Sequence, residues 1–253
     1  GNRAVYGGGG IFPAYGGADA GYKNTISYLT ISTLGNAEDF GDLNYSAGNP
    51  RALASSTRML FMGGYTPTGR TNQISFITFA NLGNAADFGD QGSGREGVSA
   101  GGNQVRGIIA GGFKNPNYIN AIEYVTIATT GNGKDFGNLT VESRQGAGLS
   151  NTTRGIQAGG AGSTARNVIA FITIATFGDA TDFGDLLVGA GWIGGGASST
   201  RGIFAGGYQG GGLNRIEFIT IATTGNATDF GDLIGPAVYG CGGLTDVHGG
   251  LGD

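Results

Sequence analysis

Ser198-Ser199-Thr200-Arg201-Gly202-Ile203-Phe204-Ala205-Gly206-Gly207-Tyr208, then a short loop, then Asn214-Arg215-Ile216-Glu217-Phe218-Ile219-Thr220-Ile221-Ala222, a turn at Gly225-Asn226, and Asp229-Phe230-Gly231-Asp232-Leu233: this stretch is one unit of a repeat. Its ending returns from Asp39, Asp87, Asp135, Asp182 and Asp229, in steps of 48, 48, 47 and 47 residues. A period of that size that fills the chain means stacked copies of one supersecondary unit. Residues 216–222 are rich in β-branched and aromatic side chains, too few for a globular helix, and bounded by turn formers. They read as a strand, with copies at 26–31, 74–80, 122–128 and 169–175. A second strand starts at each of Arg3, Arg58, Arg106, Arg154 and Arg201.

A third strand is built of Gly, Ala and Ser, near 52–55, 98–101, 147–150, 195–198 and 240–244. Glycine in a strand marks a place where another backbone comes close, and the innermost strands of a radial array crowd in that way. A short strand around each Asp-Phe-Gly-Asp completes the unit, and no segment has a sustained helical period. Four short antiparallel strands per unit at this period predict an all-β, five-bladed β-propeller.

These positions resemble the kelch repeat, whose blades carry a Gly-Gly pair closing the second strand, an aromatic in the third and a Trp in the fourth. Here the pairs are Gly8-Gly9, Gly63-Gly64, Gly111-Gly112, Gly159-Gly160 and Gly206-Gly207, and the aromatics are Tyr28, Phe76, Tyr124, Phe171 and Phe218. Phe40, Phe88, Phe136, Phe183 and Phe230 stand where kelch has Trp. The variant also resembles repeats of virion and tail-fibre proteins of marine bacteriophages. That resemblance implies a virion-associated or extracellular protein, part of a larger assembly.

The chain starts inside a unit and ends just after an inner-strand stretch. The expectation is a single domain, its units being 3–43 closed by 234–246, then 44–91, 92–139, 140–186 and 187–233. Pairing of the 240–244 strand with the first blade would tie both ends to one sheet and remove an open edge. The chain lacks an initiating Met and a secretion signal, and reads as a processed product or an excised domain.

Fifty-five glycines in 253 residues would suggest low complexity, but they hold fixed places beside dense apolar strands, as in a folded repeat. With 14 Lys and Arg against 18 Asp and Glu and no basic run, the expected partners exclude nucleic acid. No long apolar run or basic amphipathic helix predicts membrane insertion. The single cysteine, Cys241, has no internal partner and reads as a small filler of an inner strand.

Nine aspartates of the repeated motif make half of the 18 acidic residues. A calcium loop around Gly225-Asn226 would need denser carboxylates, so the Gly-Asn dipeptides read as turns and no metal or cofactor is expected. Arg3, Arg58, Arg106, Arg154 and Arg201 are expected to meet these aspartates or backbone carbonyls within or between blades. His248 is the only histidine, which argues against a histidine triad, a zinc site or the copper centre of the kelch-type galactose oxidase. The Gly-rich runs lack the Gly-Lys-Ser/Thr ending of a phosphate loop. The expectation is a non-enzymatic protein with no catalytic residues.

Two sets of loops vary between units while the turns do not: the loop between the second and third strands, and the blade-to-blade connection. In an up-down blade both emerge on one face. From the intra-blade loops this face would carry Tyr15, Tyr22, Tyr65, Arg70, Phe113, Tyr118, Arg166 and Tyr208. The connections would add Tyr45, Arg95, Arg144, Trp192 and Tyr239. Tyr, Trp and Arg anchor interfaces and stack on sugars. The first such loop, 10–23, is about seven residues longer than its copies. The sequence therefore predicts a binding or adhesion module holding a protein or glycan ligand. A structural decoration or spacer domain and a carboxylate-dependent glycan hydrolase are the alternatives.

Overall fold

The structure, a computed structural model, describes residues 2–10, 21–235 and 240. Within these residues every regular element is a strand. Blade one holds β1 (Arg3–Gly7), β2 (Thr25–Thr30) and β3 (Glu38–Asp42). Blade two holds β4 (Arg51–Ala54), β5 (Arg58–Met62), a small hairpin β6 (Tyr65–Thr66) and β7 (Gly69–Arg70), β8 (Gln73–Thr78) and β9 (Ala86–Asp90). Blade three repeats this with β10 (Ser99–Gly102), β11 (Arg106–Ala110), hairpin β12 (Phe113–Lys114) and β13 (Asn117–Tyr118), β14 (Ala121–Thr126) and β15 (Lys134–Asn138). Blade four is β16 (Ala147–Ser150), β17 (Arg154–Ala158), β18 (Val168–Thr173) and β19 (Thr181–Asp185). Blade five is β20 (Gly194–Ala197), β21 (Arg201–Ala205), β22 (Arg215–Thr220) and β23 (Thr228–Asp232).

Each blade is antiparallel in chain order, and the blades follow one another round a central cavity of about 730 Å³. The fold is a five-bladed β-propeller. Strand edges agree with the sequence expectation to within a residue or two. The third strands end earlier than expected because a turn closes there in every blade: the N–H groups of Thr33, Asn81, Thr129, Thr176 and Thr223 donate to the carbonyls of Thr30, Thr78, Thr126, Thr173 and Thr220.

The Asp-Phe-Gly-Asp motif is a bulge. In blade three, Ile122 pairs with Gly137 and Glu123 with Asp135, leaving Phe136 as the extra residue, and the same shift recurs in every blade. An extra residue bends the outer strand and re-aims its side chain. The Phe is thereby pressed inward, and Phe40, Phe88, Phe136 and Phe183 are only 2–3% exposed. The glycine after it is required twice over. Gly89 has a φ of 140°, and a Cβ there would lie 2.6 Å from the Gly131 carbonyl carbon of the next blade.

That close approach is the wall between blades. In the wall between blades two and three, Gly131 N–H donates to the Phe88 carbonyl and Gly133 N–H to the Asp90 carbonyl, both at 2.7 Å. The Asn132 side chain accepts from the Asp90 N–H at 3.0 Å. Asn84, Asp179 and Asn226 accept in the same way at the other described walls. The Gly-Asn turns are thus occupied as inter-blade clasps.

The wall arginines donate to backbone carbonyls of the following blade, not to the aspartates. Arg58 reaches Ile127 and Ala128, Arg106 reaches Ile174 and Ala175, Arg154 reaches Ile221 and Arg3 reaches Phe79. Each also lies over the third-strand aromatic of its own blade, as Arg154 does over Phe171 at 4.5 Å. Four apolar clusters fill the same four walls, each drawing on two adjacent blades.

Where blade five would meet blade one, this pattern is not made among the described residues. Phe230 is 52% exposed, Ile31 58% and Tyr6 50%, and nothing lies within 4 Å of a Cβ built on Gly35 or Gly231. The expected closing strand 240–244, with Cys241 in it, lies outside the described residues apart from Gly240. That residue carries on a backbone ladder at the inner ends of the connections. Gln145 N–H donates to Gly97, Trp192 N–H to Gln145 and Gly240 N–H to Trp192, at 2.7, 2.7 and 3.0 Å.

Candidate ligand-binding face

The up-down order of each blade brings the two variable loop sets together, and backbone bridges tie them. Gly48 bridges Tyr65, Glu96 bridges Phe113, Arg144 bridges Ala161 and Gly191 bridges Tyr208. Each bridge joins a blade-to-blade connection to the intra-blade loop of one of the blades it links. In blades two and three that loop has folded into its own hairpin, so Tyr65 and Arg70, and Phe113 and Tyr118, face each other as register partners.

From these loops a stacked belt runs across the face. Tyr22 of blade one meets Tyr65 of blade two, with ring centroids 6.0 Å apart. Arg70 lies between Tyr65 and Phe113, its guanidinium carbon 5.0 and 4.5 Å from the two ring centres. Phe113 packs on Tyr118 at 5.1 Å. Arg144 lies over Phe113, Tyr118 and Trp192 at 4.9, 5.4 and 5.9 Å. Trp192 meets the Tyr208 ring edge-on at 6.0 Å. Cations over aromatic faces are attracted by the ring quadrupole, by about 0.5–1 kcal/mol each where water still reaches them.

Trp192 has a φ of 56°, in the left-handed region, where a non-glycine side chain costs roughly 1–2 kcal/mol. Gly97 and Gly240 hold the equivalent place with glycine, Asn49 with a residue that tolerates it better, and Gln145 shares the strain. A bulky Trp kept there is backbone strain at a site-lining position.

Electrostatically the belt centres on Glu96, which is 8% exposed. Its carboxylate accepts from Arg70 Nε and Nη2 at 3.2 and 2.8 Å, while Arg144 Nη1 stands 3.7 Å away. Tyr45, from the first connection, turns inward: its hydroxyl donates to the Gly63 carbonyl at 3.4 Å, and burial pushes its pKa above the usual phenol value.

Eight of the residues expected on this face are brought together: Tyr22, Tyr65, Arg70, Phe113, Tyr118, Arg144, Trp192 and Tyr208. Arg166 stands apart, paired with Glu142 at 2.6 Å beside blade four and stacked on none of the belt's rings. Arg95 is a correction. It is fully buried, donating to Gln91 at 2.9 Å and the Gly111 carbonyl at 3.2 Å and paired with Glu123 at 2.9 Å. Burial pushes its pKa down and Glu123 opposes that shift. It braces blades two and three from inside and cannot touch a ligand. Tyr15 and Tyr239 lie outside the described residues.

Sequence reasoning missed Glu96, the carboxylate on which the belt turns. Its signal was available: it is the one acidic residue in the second connection, directly after an arginine. Among the described residues no cluster of three or more His, Cys, Asp or Glu could hold a metal ion, and no helix is long and apolar enough to cross a membrane. No protein-family model matches the chain, and no curated protein matches it.

Proposed function

We propose that this protein is a non-enzymatic binding module of kelch type, which holds a glycan or protein ligand on its variable loop face. The observation that carries the proposal is the continuous aromatic and arginine belt from Tyr22 to Tyr208, assembled from loops of four blades and two connections. Nothing about building a propeller needs that belt, since the walls are made by other residues on the repeated positions. Large rigid aromatics and arginine at low exposure are what interface anchors and sugar platforms share. On this reading the module belongs to a virion or tail, outside the cell, as part of a larger assembly, a proposal that rests on the resemblance of its repeats.

The test is a glycan array together with binding of the purified chain to intact bacterial cells. Trp192→Ala and a shortened 10–23 loop should each reduce binding while leaving the melting transition in place. Unchanged binding in both variants would refute the face assignment. Absence of any ligand would favour a decoration or spacer role, and turnover of a polysaccharide would favour hydrolysis.

A further inference from the structure

The cations of the variable face do not balance. Two of them are matched one to one, Arg166 with Glu142 and Arg215 with Glu217, at 2.6 and 3.3 Å, as the buried Arg95 beneath the face is with Glu123 at 2.9 Å. Glu96 alone is shared, and Arg70 takes it with two hydrogen bonds. Among the described residues Arg144 is left with one long contact at 3.7 Å, and its Nε, like that of Arg166, is buried with no hydrogen-bond partner. Its side chain is only 25% exposed and is flanked by three aromatic rings. Lys114, exposed on the hairpin that supplies Phe113 and Tyr118, adds a further positive charge with no carboxylate paired to it among the described residues.

This surplus occurs in a protein of net charge −4. A guanidinium withdrawn from water without a full set of acceptors is held at a cost, and an incoming anion removes that cost. Planar arginine donors suit two oxygens of one anionic group, as sulfate and carboxylate offer. The rings beside it, Trp192, Tyr118 and Tyr208, offer faces and edges for the apolar side of a pyranose.

We propose that the belt recognises an anionic polysaccharide, with a sulfate or carboxylate group seated on Arg144 and the sugar ring carried by Trp192 and its neighbours. This rests on the reading of the variable face as a ligand site and names its ligand class. Arg144 supplies the charge, Phe113 and Tyr118 fix its position, and Glu96 keeps Arg70 from competing for the same anion.

The experiment titrates the whole chain by calorimetry with dextran sulfate, with unsubstituted dextran of equal length and with polyglutamate, at low and physiological salt. Dextran sulfate should bind about tenfold or more tightly than dextran, the scale of one hydrogen bond to a charged group, and should weaken with salt. Arg144→Gln should lower that affinity about tenfold, and Arg144→Lys should recover part of it. Arg166→Gln, whose charge is matched by Glu142, should change it by less than about twofold. Thermal melting of each variant separates lost binding from lost folding. Equal affinity for dextran and dextran sulfate, or unchanged binding by a folded Arg144→Gln variant, would overturn the anion and leave a glycan face standing. Tighter binding of polyglutamate would overturn it in favour of an acidic peptide. No binding of any probe, joined to a blank glycan array, would remove the ligand face as well.

Discussion

Arg106 and Arg144 look alike at first contact. Arg106 lies over Tyr124 and Phe177 at 5.3 and 4.6 Å, and Arg144 over three rings at 4.9 to 5.9 Å. The difference is where their protons go. Arg106 gives two hydrogen bonds, at 2.7 and 2.9 Å, to carbonyls of the neighbouring blade. Among the described residues Arg144 has no such acceptor and half a claim on one carboxylate. Stacking alone therefore does not separate architecture from site. What separates them is whether the donors are used up inside the molecule. The wall positions recur with every blade and meet the same kind of partner at each of the four described walls. The belt positions occur once each and leave charge over.

The largest effect expected from this contrast lies between a mated wall and the end of blade five, where no such wall is made among the described residues. Phe136→Ala should cost about 3–5 kcal/mol of unfolding free energy, as for other buried Phe truncations. Phe230→Ala, half-exposed, should cost less than about 1 kcal/mol. Equal losses in chemical denaturation would mean that blade five is covered in solution as the other blades are. Next in size, Arg106→Ala should cost about 1.5–3 kcal/mol through its lost bonds to carbonyls. Arg201→Ala, whose guanidinium meets no neighbouring-blade carbonyl among the described residues, should stay within about 0.5 kcal/mol of wild type. Smallest should be Trp192→Gly. Relief of the left-handed backbone, roughly 1–2 kcal/mol, offsets the lost ring contacts, so the melting temperature should move little while ligand binding falls. A large stability loss there would assign Trp192 to the walls.

Much of the fold was legible because the repeat is a ruler. The motif spacing set five units, and the Gly and Ala stretches marked inner strands for a geometric reason. The up-down order of the strands then required both variable loop sets to share a face. Partners were less legible. An arginine that repeats beside a repeating aspartate invites an ion pair. Only the folded walls show that the carbonyls just past the third strand of the following blade are nearer. Arg95 was misplaced because its connection looked like any exposed loop. The clue was Glu123, an acid, as Glu217 is in blade five, where Ser27, Ser75 and Ala170 stand in the other blades, which marks a buried charge needing a partner. Glu96 was missed for the complementary reason: its role depends on two arginines 26 and 48 residues further off in the chain order, joined only by the ring.

The central claim is that the walls carry the fold and the belt carries the ligand. One paired measurement tests it most directly: glycan-array binding and thermal melting of wild type beside an Arg144→Gln, Trp192→Ala double variant. The account predicts that the variant melts within a few degrees of wild type and loses the wild-type ligands. A variant that melts normally and keeps every ligand would contradict it.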